Sequence, residues 1–309
     1  MLWGDKPYYS LDFAMKQQYG AKIYKIALDG GMTCPNRDGT LGTKGCIFCS
    51  ETGSGDFASP RCSSVTLQIE NAINGVSKKV NAAGYIAYFQ SFTNTYAPTE
   101  YLRELFFEAI NHPQVKILSI ATRPDCIPED VLELICELNK IKPVWIELGL
   151  QTIHEATATW MRRGYKLDVF EDTVKRLKKR RITVIVHTIL GLPGESEEEV
   201  LSTIDYLNCL RIDGIKLQLL HVLKNTDLAA EYEQGLYKAL EFEEYIDLLI
   251  NCLEHISPEI IIHRVTGDGP GDLMLAPMWS TKKRVVLNTL HSEMKKRESY
   301  QGKKFLISR

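Results

Sequence analysis

Short, almost wholly apolar runs recur along the chain, and between them apolar residues return every three or four positions. The runs cover 23–28, 85–89, 117–121, 144–150, 183–190, 215–220 and 259–265 and are rich in Ile, Val and Leu. That composition is expected of strands buried on both faces. Helical spacing predicts helices over 66–80, 98–111, 128–139, 195–210 and 241–255, and two helices within 154–181 interrupted at Gly164. In the 98–111 segment, Leu102, Leu105, Phe106 and Ala109 share a face, and Pro98 sits where a helix begins. Strands alternating with helices imply right-handed βαβ units and a parallel sheet. The fold class read from this is α/β, an incomplete (β/α)₈-type barrel open on one side, that is, a partial (β/α)₆ TIM-type barrel. In that architecture chemistry sits on loops after the carboxyl ends of the strands. A short amphipathic helix over 8–20 leads in. The expected division is a lead-in over 1–22, the barrel over 23–270 and a helical, basic C-terminal extension over 271–309.

Composition narrows the class. A hydrophobic content of 44% with 25% charged residues is that of a soluble globular protein with a sizeable core. A net charge of −2 excludes a wholesale polyanion binder and leaves local patches. One such patch holds Lys175, Arg176, Lys178, Lys179, Arg180 and Arg181; the other holds Lys282, Lys283, Arg284, Lys295, Lys296, Arg297, Lys303 and Lys304. Either would neutralise phosphates, and Tyr300 or Phe305 would stack on a base. No apolar run has bilayer length and the opening MLWGDKPYYS lacks a signal-peptide pattern, so no membrane association is expected. Eight cysteines, mostly isolated, point to a reducing, cytoplasmic setting. Cys126, Cys136, Cys209 and Cys252 read as small buried hydrophobes.

The remaining cysteines carry the chemistry. The stretch 26–50 reads IALDGGMTCPNRDGTLGTKGCIFCS, a strand running into a glycine-rich loop that holds Cys34, eleven further residues, then Cys46 and Cys49. Glycines let a backbone wrap a compact object, and thiolates so placed suit a metal or an iron–sulfur cluster. A closed structural zinc site takes four ligands, whereas three cysteines leave a corner open. A zinc-stapled loop completed by Cys62 or a histidine is the plainer alternative.

This arrangement resembles the radical S-adenosylmethionine (SAM) superfamily, in which three cysteines hold a [4Fe-4S] cluster and SAM chelates the fourth iron. The superfamily's commonest spacing has three residues between the first two cysteines. The wider loop here, with Phe48 just before the last cysteine, is similar to the Elongator-catalytic-subunit-like branch and its small members of the YhcC/YtqA type. Further matches follow successive strands. Ala121-Thr122-Arg123-Pro124-Asp125 resembles Glu-Thr-Arg-Pro-Asp with Ala121 in place of the glutamate, and Arg123 with Asp125 is expected to form a charge-assisted pair. Glu147-Leu148-Gly149-Leu150-Gln151-Thr152 and Met161-Arg162-Arg163-Gly164 resemble Glu-Leu-Gly-Val-Gln-Ser and Asn-Arg-Gly. The fifth strand ends in His187 and then GLPGE over 191–195. The Gly-Gly-Glu-like motif usual after the second strand is missing, and Gln90, Ser91 and Thr93 stand as its polar substitutes.

The resemblance implies that Cys34, Cys46 and Cys49 ligate the cluster. It also implies that Gln151 faces SAM, that Arg163 (or Arg162 in a shifted register) reaches its carboxylate, and that His187 contacts its ribose. Backbone near Leu219 and Leu220 would back the adenine, and Phe48 would pack on cluster or adenine. The activity implied is one-electron cleavage of SAM to a 5′-deoxyadenosyl radical that abstracts hydrogen from an unreactive C–H bond, fed by a reduced flavodoxin- or ferredoxin-type donor. The Elongator subunit acts on the wobble uridine of tRNA, which makes tRNA the first candidate substrate. No segment long enough for its acetyltransferase domain follows residue 280. Remodelling of an existing uridine C5 side chain, such as carboxymethylaminomethyl, is therefore expected. Two alternatives stay open: a radical SAM enzyme acting on a small metabolite or peptide, and a non-catalytic, zinc-bearing RNA-binding module.

Overall fold

A computed structural model describes residues 2–53, 55–78, 80–267 and 269–306. Each apolar run is a strand: β1 (Ile23–Leu28), β2 (Gly84–Phe89), β3 (Val115–Thr122), β4 (Val144–Gln151), β5 (Thr183–Leu190) and β6 (Gly214–Leu219). After the two-residue β7 (Val222–Leu223), β8 (Ile261–Arg264) joins the same sheet. Its order is β1-β2-β3-β4-β5-β6-β8, parallel throughout. The sheet curls into a half-barrel, one strand more than the six βα units and lacking the strands that would close it. Outside it pack α2 (Val65–Ser77), α3 (Thr99–Asn111), α4 (Glu129–Asn139), α6 (Leu167–Lys179), α7 (Glu197–Cys209) and α9 (Phe242–His255), with α1 (Leu11–Tyr19) and the short α5 (Glu155–Trp160) placed separately. Their apolar stripes meet the outward residues of the sheet, as where Phe106 of α3 lies edge-on to Phe89 of β2 with centroids 5.2 Å apart.

The inward residues form layers, because successive side chains alternate across a strand. The lowest layer, Ile23, Ile86, Ile117, Trp145 and Ile185, packs against Ala14 and Met15 of α1, which seals that end. Ser10 caps α1 by accepting from Phe13 N at 3.4 Å. Above this plug the next layer is polar: Lys25, Tyr88, Ser119, Glu147, His187 and Lys216. Higher still, Ala121, Gly149 and Gln218 keep the lumen open toward the carboxyl ends of the strands.

Two features within 221–281 lay outside the sequence reading: α8 (Asp227–Glu233), and an antiparallel pair of β7 with β9 (Met274–Ala276). Both are too short to show a period. The basic segment forms α10 (Lys283–Lys296), whose Val286, Leu290 and Met294 are fully buried and which packs on α9.

Candidate functional site

The loop after β1 wraps back over the open end of the half-barrel. Cys34 O accepts from Arg37 N at 2.8 Å and Asp38 N at 3.2 Å, turning the chain. Arg37 then donates to Cys49 O at 3.2 Å and Ser50 O at 2.6 Å, so one guanidinium ties the first cysteine's turn to the last. Asn36 donates to Arg162 O at 2.7 Å and lies 3.5 Å from Cys46 Sγ. Ile47 is the anchor of the CIFC turn. It is 2% exposed among Met161, Leu192, Leu220 and Leu228, and its backbone pairs with Met161 O and Leu228 N. Phe48 is thereby turned to the cavity, against the same apolar cluster.

Cys34, Cys46 and Cys49 all border this cavity, with Phe48, Gln90, Thr93, Arg123, Gln151, His187 and Leu220. Strand order alone brings these distant segments together. Cys62 is outside the lining, near Asn71 and Pro60 O. Among the described residues no three of His, Cys, Asp and Glu converge on a single-ion point. Three thiols on one cavity rim suit an iron–sulfur cluster. A shared hydrogen bond with Cys49, together with burial, keeps the Cys46 thiol well above its usual range. Metal loading would therefore release protons here.

The opposite wall offers a cradle. Gln151 sits at φ 70°, in the left-handed region, and its buried Oε1 has no hydrogen-bond partner within the protein. A Cβ at Gly149 would stand 2.8 Å from Gln151 Nε2, so glycine gives the amide its room. An orphaned buried acceptor facing a cavity asks for a donor from a bound molecule. Thr93 is buried and its N–H donates to Thr33 O at 3.2 Å, joining the β2 loop to the cysteine loop. Leu220 N donates to Leu190 O at 3.0 Å, which fixes the backbone beyond β6.

Arg123 and Asp125 form the expected pair, with two bonds of 2.9 and 2.7 Å. Arg123 also donates to Arg163 O at 2.9 Å and lies 5.1 Å above the Tyr165 ring. Arg163, by contrast, is placed outside the cavity lining. Its guanidinium, 3% exposed, donates to Thr152 O at 2.7 Å, Tyr165 O at 3.0 Å and Glu155 at 3.0 Å. It thus braces the turn after β4. Arg162 pairs with Asp227 at 2.5 Å and is likewise outside the lining. The GLPGE turn is also a support: Tyr237 donates to Gly191 O at 2.9 Å, and Gly191 packs on Leu240.

Sequence reasoning passed over the polar layer beneath. Glu147, fully buried, accepts from Lys25 at 2.7 Å, Ser119 at 2.6 Å and His187 at 2.8 Å, and lies 2.5 Å from Lys216 Nζ. Lys216 also donates to Tyr88 Oη at 3.0 Å. Both lysines face the Tyr88 ring, at 4.5 and 4.4 Å from its centroid. Burial works against the Glu147 charge, but Lys216 and Lys25 overcome it and hold the carboxyl well below its usual range. Burial pulls Lys216 down to about 7 and His187 to about 4, so the imidazole is neutral at pH 7. The signal was present: a lone charge in each of three apolar strands, IYKIAL, VWIELGLQ and GIKLQL.

Several residues of the basic patches are paired. On α6, Arg176 and Arg180 bind Glu129 at 3.0 and 3.2 Å, and Lys178 binds Asp213 at 2.7 Å. These residues end a helix that runs back toward the start of β5, so they lie at the sealed end of the barrel. Near the C-terminus Arg297 pairs with Asp247 and Glu293, and Lys304 with Glu254.

Comparison with known proteins agrees with this geometry. Residues 38–207 match the radical SAM superfamily and residues 212–296 the radical SAM C-terminal domain. The uncharacterized protein YtqA of Bacillus subtilis is 45% identical over 97% of this chain and 94% of its own length. Protein YhcC of Escherichia coli K12 is 37% identical over 86% and 85%. A tRNA uridine(34) acetyltransferase of Methanocaldococcus jannaschii is 28% identical over 51% of this chain, but only 29% of that protein is spanned. Among solved structures, an archaeal Elp3 from Methanocaldococcus infernus superposes with a TM-score of 0.68 at 18% identity, over 90% of this chain and 64% of that one. The half-barrel, the three-thiol rim and these matches give one answer: the chain belongs to the radical SAM superfamily, in a small branch related to Elp3.

Proposed function

We propose that this enzyme binds a [4Fe-4S] cluster through Cys34, Cys46 and Cys49, binds SAM against the opposite wall, and acts on the C5 side chain of a tRNA wobble uridine. The observation that carries the cofactor reading is one cavity bordered both by three loop thiols and by the orphaned Gln151 amide. When bound, a reduced cluster supplies the electron that opens the sulfonium of SAM and yields an adenosyl radical able to take hydrogen from a C–H bond. The chain's own part is placement. Arg37 and Asn36 fix the cysteine turns, Phe48 covers the rim, and Gln151 offers its amide to the SAM methionine part. Thr93 and Gln90 stand where the superfamily holds the SAM amino group, and His187 and Leu220 lie toward ribose and adenine. Arg163 acts as a brace behind Gln151. Water and stray hydrogen donors are kept out by the α1 plug and the apolar cluster around Ile47.

The tRNA part is supported by sequence similarity to tRNA-modifying relatives over about half of the chain. None of the eight cysteines forms a disulfide and no described helix is long and apolar enough to cross a membrane. Both suit a reducing, cytoplasmic setting with a flavodoxin- or ferredoxin-type donor.

Two measurements test this reading. Anaerobic reconstitution is expected to give a brown protein with about four irons per chain, and Cys34→Ala, Cys46→Ala and Cys49→Ala each to lose most of that iron. One colourless zinc per chain would overturn the cluster. Digests of tRNA from cells with and without the gene are expected to differ at a single modified uridine, and undermodified tRNA to raise 5′-deoxyadenosine release. Identical digests and unmoved release would overturn the tRNA reading alone.

A further inference from the structure

At the floor of the cavity, among the described residues, two lysines share one buried carboxylate. Glu147 is the buried acid that binds both Lys25 and Lys216. His187 is neutral there. Lys216 is 4% exposed, yet its ammonium lies on the lining shared with Cys34, Cys46 and Cys49. One lysine satisfies one carboxylate, and a second desolvated ammonium costs several kcal/mol unless it meets an anion. A purely structural layer would gain from Met or Leu at position 216, as it does from Ile in the layer below. The placement is directional as well. A second cavity, bordered by Tyr24, Lys25 and Lys283, shares Tyr88, Gln90 and Arg264 with the first. Lys216 and Lys25 therefore border neighbouring cavities that share part of their walls.

We propose that Lys216, with Lys25 beside it, seats a carboxylate of the substrate, and so holds the neighbouring C–H bond beneath the reaction centre. This deepens the proposed function and rests on its cavity assignment. It specifies a substrate that carries a small carboxylate close to the reacting carbon. A carboxymethylamine meets that description whether it belongs to a modified uridine or to a free amino acid derivative. Among the described residues, the titratable and charged groups facing the seat are Lys25, Tyr88, Glu147, His187, His263 and Arg264. Glu147 and Tyr88 set the position of Lys216 and leave its third N–H for the ligand. The seat is distinct from the Gln151 wall, so SAM binding is not expected to depend on Lys216.

The test measures binding to the anaerobically reconstituted enzyme in the presence of S-adenosylhomocysteine. The probes are 5-carboxymethylaminomethyluridine and its primary amide, and N-methylglycine and its amide. The expected result is at least tenfold tighter binding of acid over amide in wild type. That preference is expected to vanish in Lys216→Met, return in Lys216→Arg, and leave S-adenosylhomocysteine affinity unchanged. Preference for the uridine acid supports the nucleoside source. Preference for N-methylglycine alone keeps the seat and removes the uridine. No acid preference in either pair for wild type overturns the proposal, and so does a preference that survives in Lys216→Met. A Lys216→Met enzyme that loses only S-adenosylhomocysteine affinity overturns it too, because Lys216 would then serve the cofactor.

Discussion

Glu147 is the residue on which the interior electrostatics turn. Replacing it by Gln leaves Lys25 and Lys216 facing each other across Tyr88 with no buried anion. A loss of about 3–5 kcal/mol is expected, the range for removing one partner of a buried ion pair. Urea unfolding of Glu147→Gln measures it, and a loss below 1 kcal/mol would mean that water already screens the layer. His187 adds a pH dependence with a definite sign. Burial lowers it to about 4, whereas the unfolded chain titrates near 6.5. Between those values the unfolded state binds the extra proton, so stability is full above about 6.5 and falls as pH drops toward 4. At ~1.4 kcal/mol per pH unit the window holds about 3 kcal/mol. Glu147, depressed, pushes the same way at still lower pH. Unfolding free energies of wild type and His187→Gln between pH 4 and 8 are expected to diverge above pH 4, with the variant flatter. Parallel curves would contradict the assignment.

Among the elements, the cysteine loop depends on close backbone approach. Gly53 has φ +58°, and a Cβ there would stand 2.2 Å from the Phe92 ring, which itself lies in the left-handed region. Gly53 O also accepts from Phe92 N at 3.0 Å, so the end of the loop and the β2 turn are fixed together. Gly53→Ala is expected to cost the loop about 1–3 kcal/mol and to lower the iron retained after reconstitution. The control is Gly75→Ala in α2, where a Cβ meets nothing within 4 Å. There alanine should raise stability by about 0.5–1 kcal/mol. Equal iron retention in both variants would show that the Gly53 turn does not shape the site.

On the scale of the molecule, both termini pack along β8 at one edge of the half-barrel. Tyr9 O accepts from Ile262 N at 2.7 Å, which lays the N-terminal segment along β8. Gln301, fully buried, accepts from Tyr9 N at 2.8 Å and donates to Ser257 O and Ile260 O at 2.7 and 2.8 Å. The C-terminal turn thus holds both the lead-in segment and the start of β8. α10 reaches that turn across α9 through Leu290. Leu290→Ala is expected to lower global stability by about 2–5 kcal/mol, read by thermal and denaturant unfolding. A cost under 1 kcal/mol would make α10 a surface attachment. Because Lys296, Arg297, Lys303 and Lys304 are paired with Asp247, Glu254 and Glu293, tRNA contact is expected nearer the thiol rim than along α10.

Local pattern carried the strands, most helices, the order of the loops and the three thiols. Burial on both faces makes a strand continuously apolar, and a cluster loop writes its glycines and cysteines within 25 residues of sequence. The Arg123–Asp125 pair was legible for the same reason, since two residues apart they need no distant partner. Arg163 reads as a ligand contact in sequence, and only the fold shows its guanidinium held by Thr152 O, Tyr165 O and Glu155. Lys25, Glu147 and Lys216 lie 122 and 69 positions apart, each an isolated charge in an apolar run. What unites them is the curl of the sheet, which turns alternate side chains of three non-adjacent strands toward one axis. Period and spacing along the chain fixed what each strand would bury, but the lumen, and the charge gathered at its floor, exist only once those strands share a register.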